Sequence, residues 1–264
     1  MILSILLLAA APISETPSPE LLPSSKWQVE YAKSSCIISR AFGEGPNKTV
    51  FGLKPAPYSD FVSMLIVAPS PKTKASGGKA EIKLSGGFEP EHTNFASVTA
   101  NGMRVTTVNL PRLALDALAK GESIAIKAGG LVNVSLKPTS FDKALKALED
   151  CESDLLTSWG FDKAAQAAVA TRPVGQIFGL IQPDDYPEQA LESGLGGTVG
   201  VRMRIEPNGK IGECVALESS GVPILDKTTC AILMKRGRFT PAMGHDGKPV
   251  AAPYFTWITW STGG

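Results

Sequence analysis

In the first half of the chain, apolar and polar residues alternate with a period of two, the pattern of strands with one buried face. Trp27-Gln28-Val29-Glu30-Tyr31 follows it, and Cys36–Phe42 makes a second strand. Residues 61–68 are nearly all apolar, which predicts a strand buried on both faces. Further strands are expected at 79–84, 102–109, 123–127 and 131–136. Residues 111–120 read as a short helix, with Pro111 at the start and Gly121 past the end. After Ser140 the period changes. Phe141, Ala144, Leu145, Leu148, Cys151, Leu155 and Trp159 recur three and four apart, predicting one long amphipathic helix. Ser140 is its expected N-cap, Asp142 lies in its first turn, and Gly160 ends it.

Residues 162–185 read as a connector. A helical turn is expected at 164–171, broken by Arg172-Pro173-Val174-Gly175, with a short strand at 176–181. Period two then returns. Val199, Val201, Met203 and Ile205 alternate with Gly200, Arg202, Arg204 and Glu206. Pro207-Asn208-Gly209-Lys210 supplies an Asn-Gly hairpin turn. Residues 211–218 run back, Ser219-Ser220-Gly221 closes the strand, and Ile224-Leu225-Asp226 opens a helix reaching about Arg236. A last strand, Ala252–Trp260, is aromatic and β-branched.

Composition supports a folded chain. Of 264 residues 43% are hydrophobic and 19% charged, enough apolar content for a core. The net charge of +1, without a Lys/Arg run, argues against a nucleic-acid partner. Residues 1–11 form an apolar run of signal-peptide length ending in Ala9-Ala10-Ala11, too short for an ordinary membrane span. The expectation is export to the periplasm by a signal peptide, the alternative being a short anchor associated with the inner membrane. A Pro-rich leader, 12–25, and a β-rich N-terminal domain, 26–161, follow.

Four cysteines in an exported chain suggest disulfides. Cys151 lies in the apolar stripe and so faces the strands, which makes Cys36 its natural partner; two buried free thiols are the alternative. No CxxC is present, and His92 and His245 are remote from the cysteines in sequence, so no metal site is expected.

The order of motifs in the last third is distinctive. Tyr186-Pro187-Glu188-Gln189-Ala190 comes first. The Gly-x-Val strand, the Asn-Gly-x-Ile hairpin, Ser-Ser-Gly before Leu-Asp, Phe239-Thr240-Pro241-Ala242 and Gly247-Lys248-Pro249-Val250 follow in turn. This order resembles the TonB C-terminal domain family, from about residue 176 to 260. The resemblance implies a small domain at 186–264, with three antiparallel strands and helices on one face. The fold class is then α+β, a β-rich N-terminal domain with one long amphipathic helix followed by that small domain. Cys214, on the returning strand, and Cys230, on the helix packed against it, are placed to form a second disulfide. Strict alternation leaves the facing of Cys214 open: either both sheet faces are partly covered or a bulge resets the register. The N-terminal part, with Ala119-Lys120-Gly121-Glu122-Ser123 before a strand and then Ser140-Phe141-Asp142-Lys143-Ala144-Leu145, loosely resembles invasion-associated locus B proteins, which are exported and β-rich.

Catalytic constellations are missing from the sequence. Ser219-Ser220-Gly221 reads as a strand end, His245-Asp246 as a solvated turn, and Asp184-Asp185 as a helix start. Gly194 to Gly197 precede a strand rather than follow one, unlike a phosphate loop. Trp257 and Trp260 fall on opposite faces of the last strand. Neither an enzyme nor a cofactor is expected. The family resemblance implies that an extended peptide of a TonB-dependent outer-membrane receptor adds to the sheet edge, for which the candidates are Tyr254, Phe255, Thr256, Trp257 and Ile258. Homodimerisation through the same edge is a second use. The chain departs from an energy transducer in its short apolar segment and in the folded region that follows it. The competing reading is therefore a soluble periplasmic structural or interaction protein, uncoupled from energy transduction.

Overall fold

The structure is a computed structural model that describes residues 20–262 except 56, 59, 60, 71–73, 86, 88, 91, 92 and 178. The segment 1–11, the leader before Glu20 and His92 lie outside the described residues. The first ten strands are β1 (Glu20–Leu21), β2 (Gln28–Tyr31), β3 (Cys36–Phe42), β4 (Thr49–Pro55), β5 (Phe61–Pro69), β6 (Ser76–Leu84), β7 (Asn94–Ala100), β8 (Met103–Pro111), β9 (Ile124–Ala128) and β10 (Val132–Leu136). They form one sheet in the order β1-β10-β9-β6-β7-β8-β5-β4-β3-β2. The leader curls this sheet onto itself. Leu21 pairs with Leu136 of β10, while Ser24 N–H donates to Ala41 O and Gly43 N–H to Leu22 O. Glu20 and Leu21, read as extended leader, are thus a strand of the sheet, and Pro23 bridges to Phe42 at its other end.

Curling encloses one face only. On β5, Val62, Met64 and Ile66 are fully buried whereas Phe61 is 55% exposed. The expectation of a strand buried on both faces is corrected: its outer apolar residues lie on the partly open side. Helices α1 (Ala114–Lys120) and α2 (Phe141–Ser158) pack together, and α2 lies on β2 and β3. From Phe141 to Leu155 the stripe read from the sequence is the buried face of α2, joined by Glu152 and Leu156, while Trp159 lies just past the helix end and is half-buried. Ser140 does not cap through its side chain; it adopts φ +56°. Cys36 and Cys151 are disulfide-bonded, tying β3 to α2.

The second part contains α3 (Lys163–Ala168), α4 (Glu188–Glu192) and α5 (Pro223–Arg236). Its strands are β11 (Val169–Thr171), β12 (Val174–Gly175), β13 (Gly197–Ile205), β14 (Ile211–Glu218), β15 (Phe239–Thr240), β16 (Ala242–Gly244), β17 (Pro249–Val250) and β18 (Ala252–Trp260). The main sheet has the order β14-β13-β18, all antiparallel. Two small sheets, β11-β16-β17 and β12-β15, flank it. The molecule is strand-rich α+β, but two points of the expectation change. The helical content is spread over five α-helices instead of resting on one long one, and several sheets stand where one was expected in the C-terminal part. The strand expected at 176–181 is replaced by β12, which ends at Gly175.

The hairpin turn forms as its sequence demands. Gly209 sits at φ +75°, Gly209 N–H donates to Glu206 O, and Glu206 N–H to Lys210 O, both at 2.8 Å.

Candidate functional site

The C-terminal sheet has two occupied faces. On one, Val199, Val201, Met203, Ile205, Tyr254 and Trp260 form a core with Leu225, Ile232 and Leu233 of α5. Trp260 Nε1–H donates to Thr229 Oγ1 at 2.8 Å, and its ring meets Tyr186 edge-on at 5.2 Å. Tyr254 packs edge-on against Phe239. Cys214 belongs to this face and is bonded to Cys230 of α5.

The register of β14 explains how. Val201 lies opposite Ala216 and Gly200 opposite Glu218, so Leu217 is skipped; Ile205 lies opposite Ile211 and Arg204 opposite Glu213, so Gly212 is skipped. Each bulge flips the alternation. The first turns Glu218 away from the helix side occupied by Cys214 and Ala216, towards the other face.

That other face meets the N-terminal unit. The Trp159 ring, just past the end of α2, stacks on Phe255 at 5.6 Å with planes 27° apart. Phe255 is fully buried and meets Trp257 edge-on at 4.6 Å. Trp257 Nε1–H donates to Glu218 Oε2 at 2.7 Å, and Ser34 Oγ–H donates to Glu218 Oε1. Lys54 Nζ lies 4.4 Å from the Trp257 ring centroid, in cation–π geometry. Arg202 Nη1–H donates to Trp159 O at 3.1 Å, and Trp159 Nε1–H to Lys33 O at 3.3 Å. Gly200 leaves room for this arrangement: a Cβ there would stand 2.9 Å from Glu218 Cβ and 3.1 Å from the Phe255 ring.

The candidate residues Tyr254, Phe255, Thr256, Trp257 and Ile258 all lie on β18, an outer strand of the sheet. Among the described residues no strand pairs with the outer side of β18; its ladder runs along β13 from Gly197↔Trp260 to Ile205↔Ala252. Tyr254 and Phe255 are buried and the other three half-buried, so their side chains point into the two faces and not outward. Sequence reasoning missed Ser34, Lys54, Trp159 and Glu218 as neighbours of this strand. The one signal pointing there was Trp257, placed opposite Trp260 by its odd spacing.

The other residues singled out have structural surroundings. Asp246 Oδ1 accepts from Lys248 N–H at 3.0 Å in the turn carrying His245. Asp185 is held by Arg236 through hydrogen bonds of 2.5 and 2.7 Å. The Arg236 bonds come first and the Gln182 N–H bond second in holding the Asp185 carboxyl below its ordinary value. Ser219 and Ser220 bind Asp226: Ser219 Oγ–H donates at 2.6 Å, Ser220 N–H at 2.9 Å and Ser220 Oγ–H at 2.7 Å. Among the described residues no group of His, Cys, Asp and Glu is arranged to hold a metal, and no helix is long and apolar enough to cross a membrane.

Comparison with protein families matches residues 182–261 to the family described as Gram-negative bacterial TonB protein C-terminal. No curated protein matches the chain. The match covers all three strands of the main sheet, α4 and α5. The family consists of envelope proteins concerned with transport and protein interaction rather than catalysis.

Proposed function

With residues 182–261 as a TonB-type C-terminal domain, we propose that this is an exported, periplasmic binding protein. In this reading β18 takes up an extended segment of a TonB-dependent outer-membrane receptor by strand addition. The observation that carries it is the position of β18 at the sheet margin, with no strand on its outer side among the described residues. Affinity then comes from main-chain hydrogen bonds, because the β18 side chains are committed to the two packed faces. The test is calorimetric titration of the full chain with receptor plug peptides and with the same peptides N-methylated at alternate residues. Binding that survives N-methylation in both phases excludes strand addition. Pairing of β18 with a second copy would appear as a concentration-dependent dimer competing with peptide.

The second reading is a periplasmic interaction protein uncoupled from energy transduction, its N-terminal part an exported β-rich domain of the locus B kind. The packing of the N-terminal unit on the sheet, through Trp159, Lys54 and Ser34, favours it, since force transmission calls for a freely moving C-terminal domain. Mass spectrometry of the native protein separates the two: loss of residues 1–11 supports the uncoupled form.

A further inference from the structure

Between the end of α2 and the outer face of the C-terminal sheet lies a cleft of about 310 Å³. Trp159 and Phe161 line it from the N-terminal unit, and Arg202, Arg204, Glu213 and Pro253 from the sheet. It occupies the kind of place, a junction of two units, where ligand pockets are common. Its charges are unequally engaged. Arg202 Nη2 pairs with Glu213 Oε1 at 3.1 Å, and Arg202 Nη1–H donates to Trp159 O. Arg204 pairs only through Nε, with Glu206 Oε1 at 3.5 Å, and its side chain is 55% exposed. The two terminal amino groups of Arg204 make no hydrogen bond to any described residue, leaving a planar fork of donors at the cleft.

We propose that this cleft binds a carboxylate carried on a small apolar body, with Arg204 as its anchor. A guanidinium fork matches a carboxylate through two parallel hydrogen bonds. Glu213 beside Arg202 and Glu206 beside Arg204 offset the two arginine charges, so the cleft has no excess positive charge for a phosphate dianion and suits a singly charged carboxylate better. Trp159 and Phe161 supply apolar contact for the rest of the ligand. The site lies on the sheet face and not on the outer side of β18, so it does not depend on strand addition.

The chemistry fits a free peptide C-terminus or an acidic side chain, and three capped dipeptides tell them apart. N-acetyl-Ala-Phe as the free acid carries the terminal carboxylate, N-acetyl-Ala-Asp amide the side-chain carboxylate, and N-acetyl-Ala-Phe amide neither. Calorimetry on the full chain at low salt is expected to show binding of at least one acid and none of the neutral amide. R204Q should weaken that binding about tenfold or more, the loss of a charged hydrogen-bond partner. R204K, keeping the charge without the fork, should fall between, and E213Q should bind more tightly than the parent. Circular dichroism and the melting temperature verify that each variant folds. Failure of both acids to bind, equal binding of the amide, or acid binding unchanged in R204Q would overturn the proposal.

Discussion

Trp159 stacks on Phe255, joining the C-terminal end of the long N-terminal helix to β18, a margin strand of the C-terminal sheet. The sheet is therefore covered on both sides, by α5 on one and by the N-terminal unit on the other. Phe255→Ala is expected to destabilise the protein by about 3–5 kcal/mol, the usual cost of emptying a buried aromatic site. The thermal unfolding transition, measured calorimetrically, should also broaden or split as the two units lose their contact. A single unshifted transition would contradict the structure.

Glu218 accepts from both Trp257 and Ser34, so its removal leaves the indole N–H without a protein partner. Glu218→Ala should cost about 1–3 kcal/mol in stability. It should also shift Trp257 fluorescence to the red as water reaches the ring. Serving as the control, Glu218→Gln keeps an acceptor and should lose less.

Gly200 faces Glu218 and Phe255 at distances too short for a methyl group. Gly200→Ala should be destabilising by about 1–3 kcal/mol, as overpacked sites are. Denaturant unfolding of the variant checks this, and Phe255→Leu in the same chain should recover part of the loss by relieving the contact.

The Asp226 carboxyl shows two opposed effects. Burial raises its pKa and is the largest single influence. The hydrogen bonds from Ser219 and Ser220 together outweigh it and hold the group below the ordinary 3.8. A depressed carboxylate adds stability that is complete above its unfolded-state pKa and is lost as pH falls through the lower folded-state value. Asp226→Asn should therefore be less stable than the parent at neutral pH, and the gap should close below 3.8. A gap that persists unchanged in acid would assign the effect to something other than ionisation.

Both disulfides close loops, Cys36–Cys151 over a separation of 115 residues and Cys214–Cys230 over 16. Loop entropy gives about 4.7 and about 3 kcal/mol respectively. The pair Cys36→Ser with Cys151→Ser should accordingly lower the melting temperature more than the pair Cys214→Ser with Cys230→Ser.

Much of the C-terminal domain was legible because its signals are local. The alternation of Val199 to Ile205, the Asn208-Gly209 turn and the helix after Ser220 each depend on residues within a few positions. The amphipathic stripe on α2 was legible for the same reason, and it located Cys151 on the strand-facing side. A bulge in β14 was legible only as one of two alternatives raised by the facing of Cys214, and the positions of the two bulges were not legible at all. Alternation says which residues share a face only while the register holds, and Leu217 and Gly212 break it without a mark in the sequence. The outer face of β5 was misread because an apolar run does not reveal whether its second face meets another layer.

By itself the sequence determined most of the long elements and the helix faces, since these follow from backbone periodicity and turn chemistry, and its order of motifs carried the resemblance that the family match at 182–261 bears out. The tertiary structure alone decided which surfaces of the sheet stay exposed. Trp159 and Phe255 are 96 positions apart, Ser34 and Glu218 are 184 apart, and no local pattern links residues that meet only when two units pack. That packing covers both faces of the sheet and leaves its two margin strands and a cleft beside Arg204 exposed.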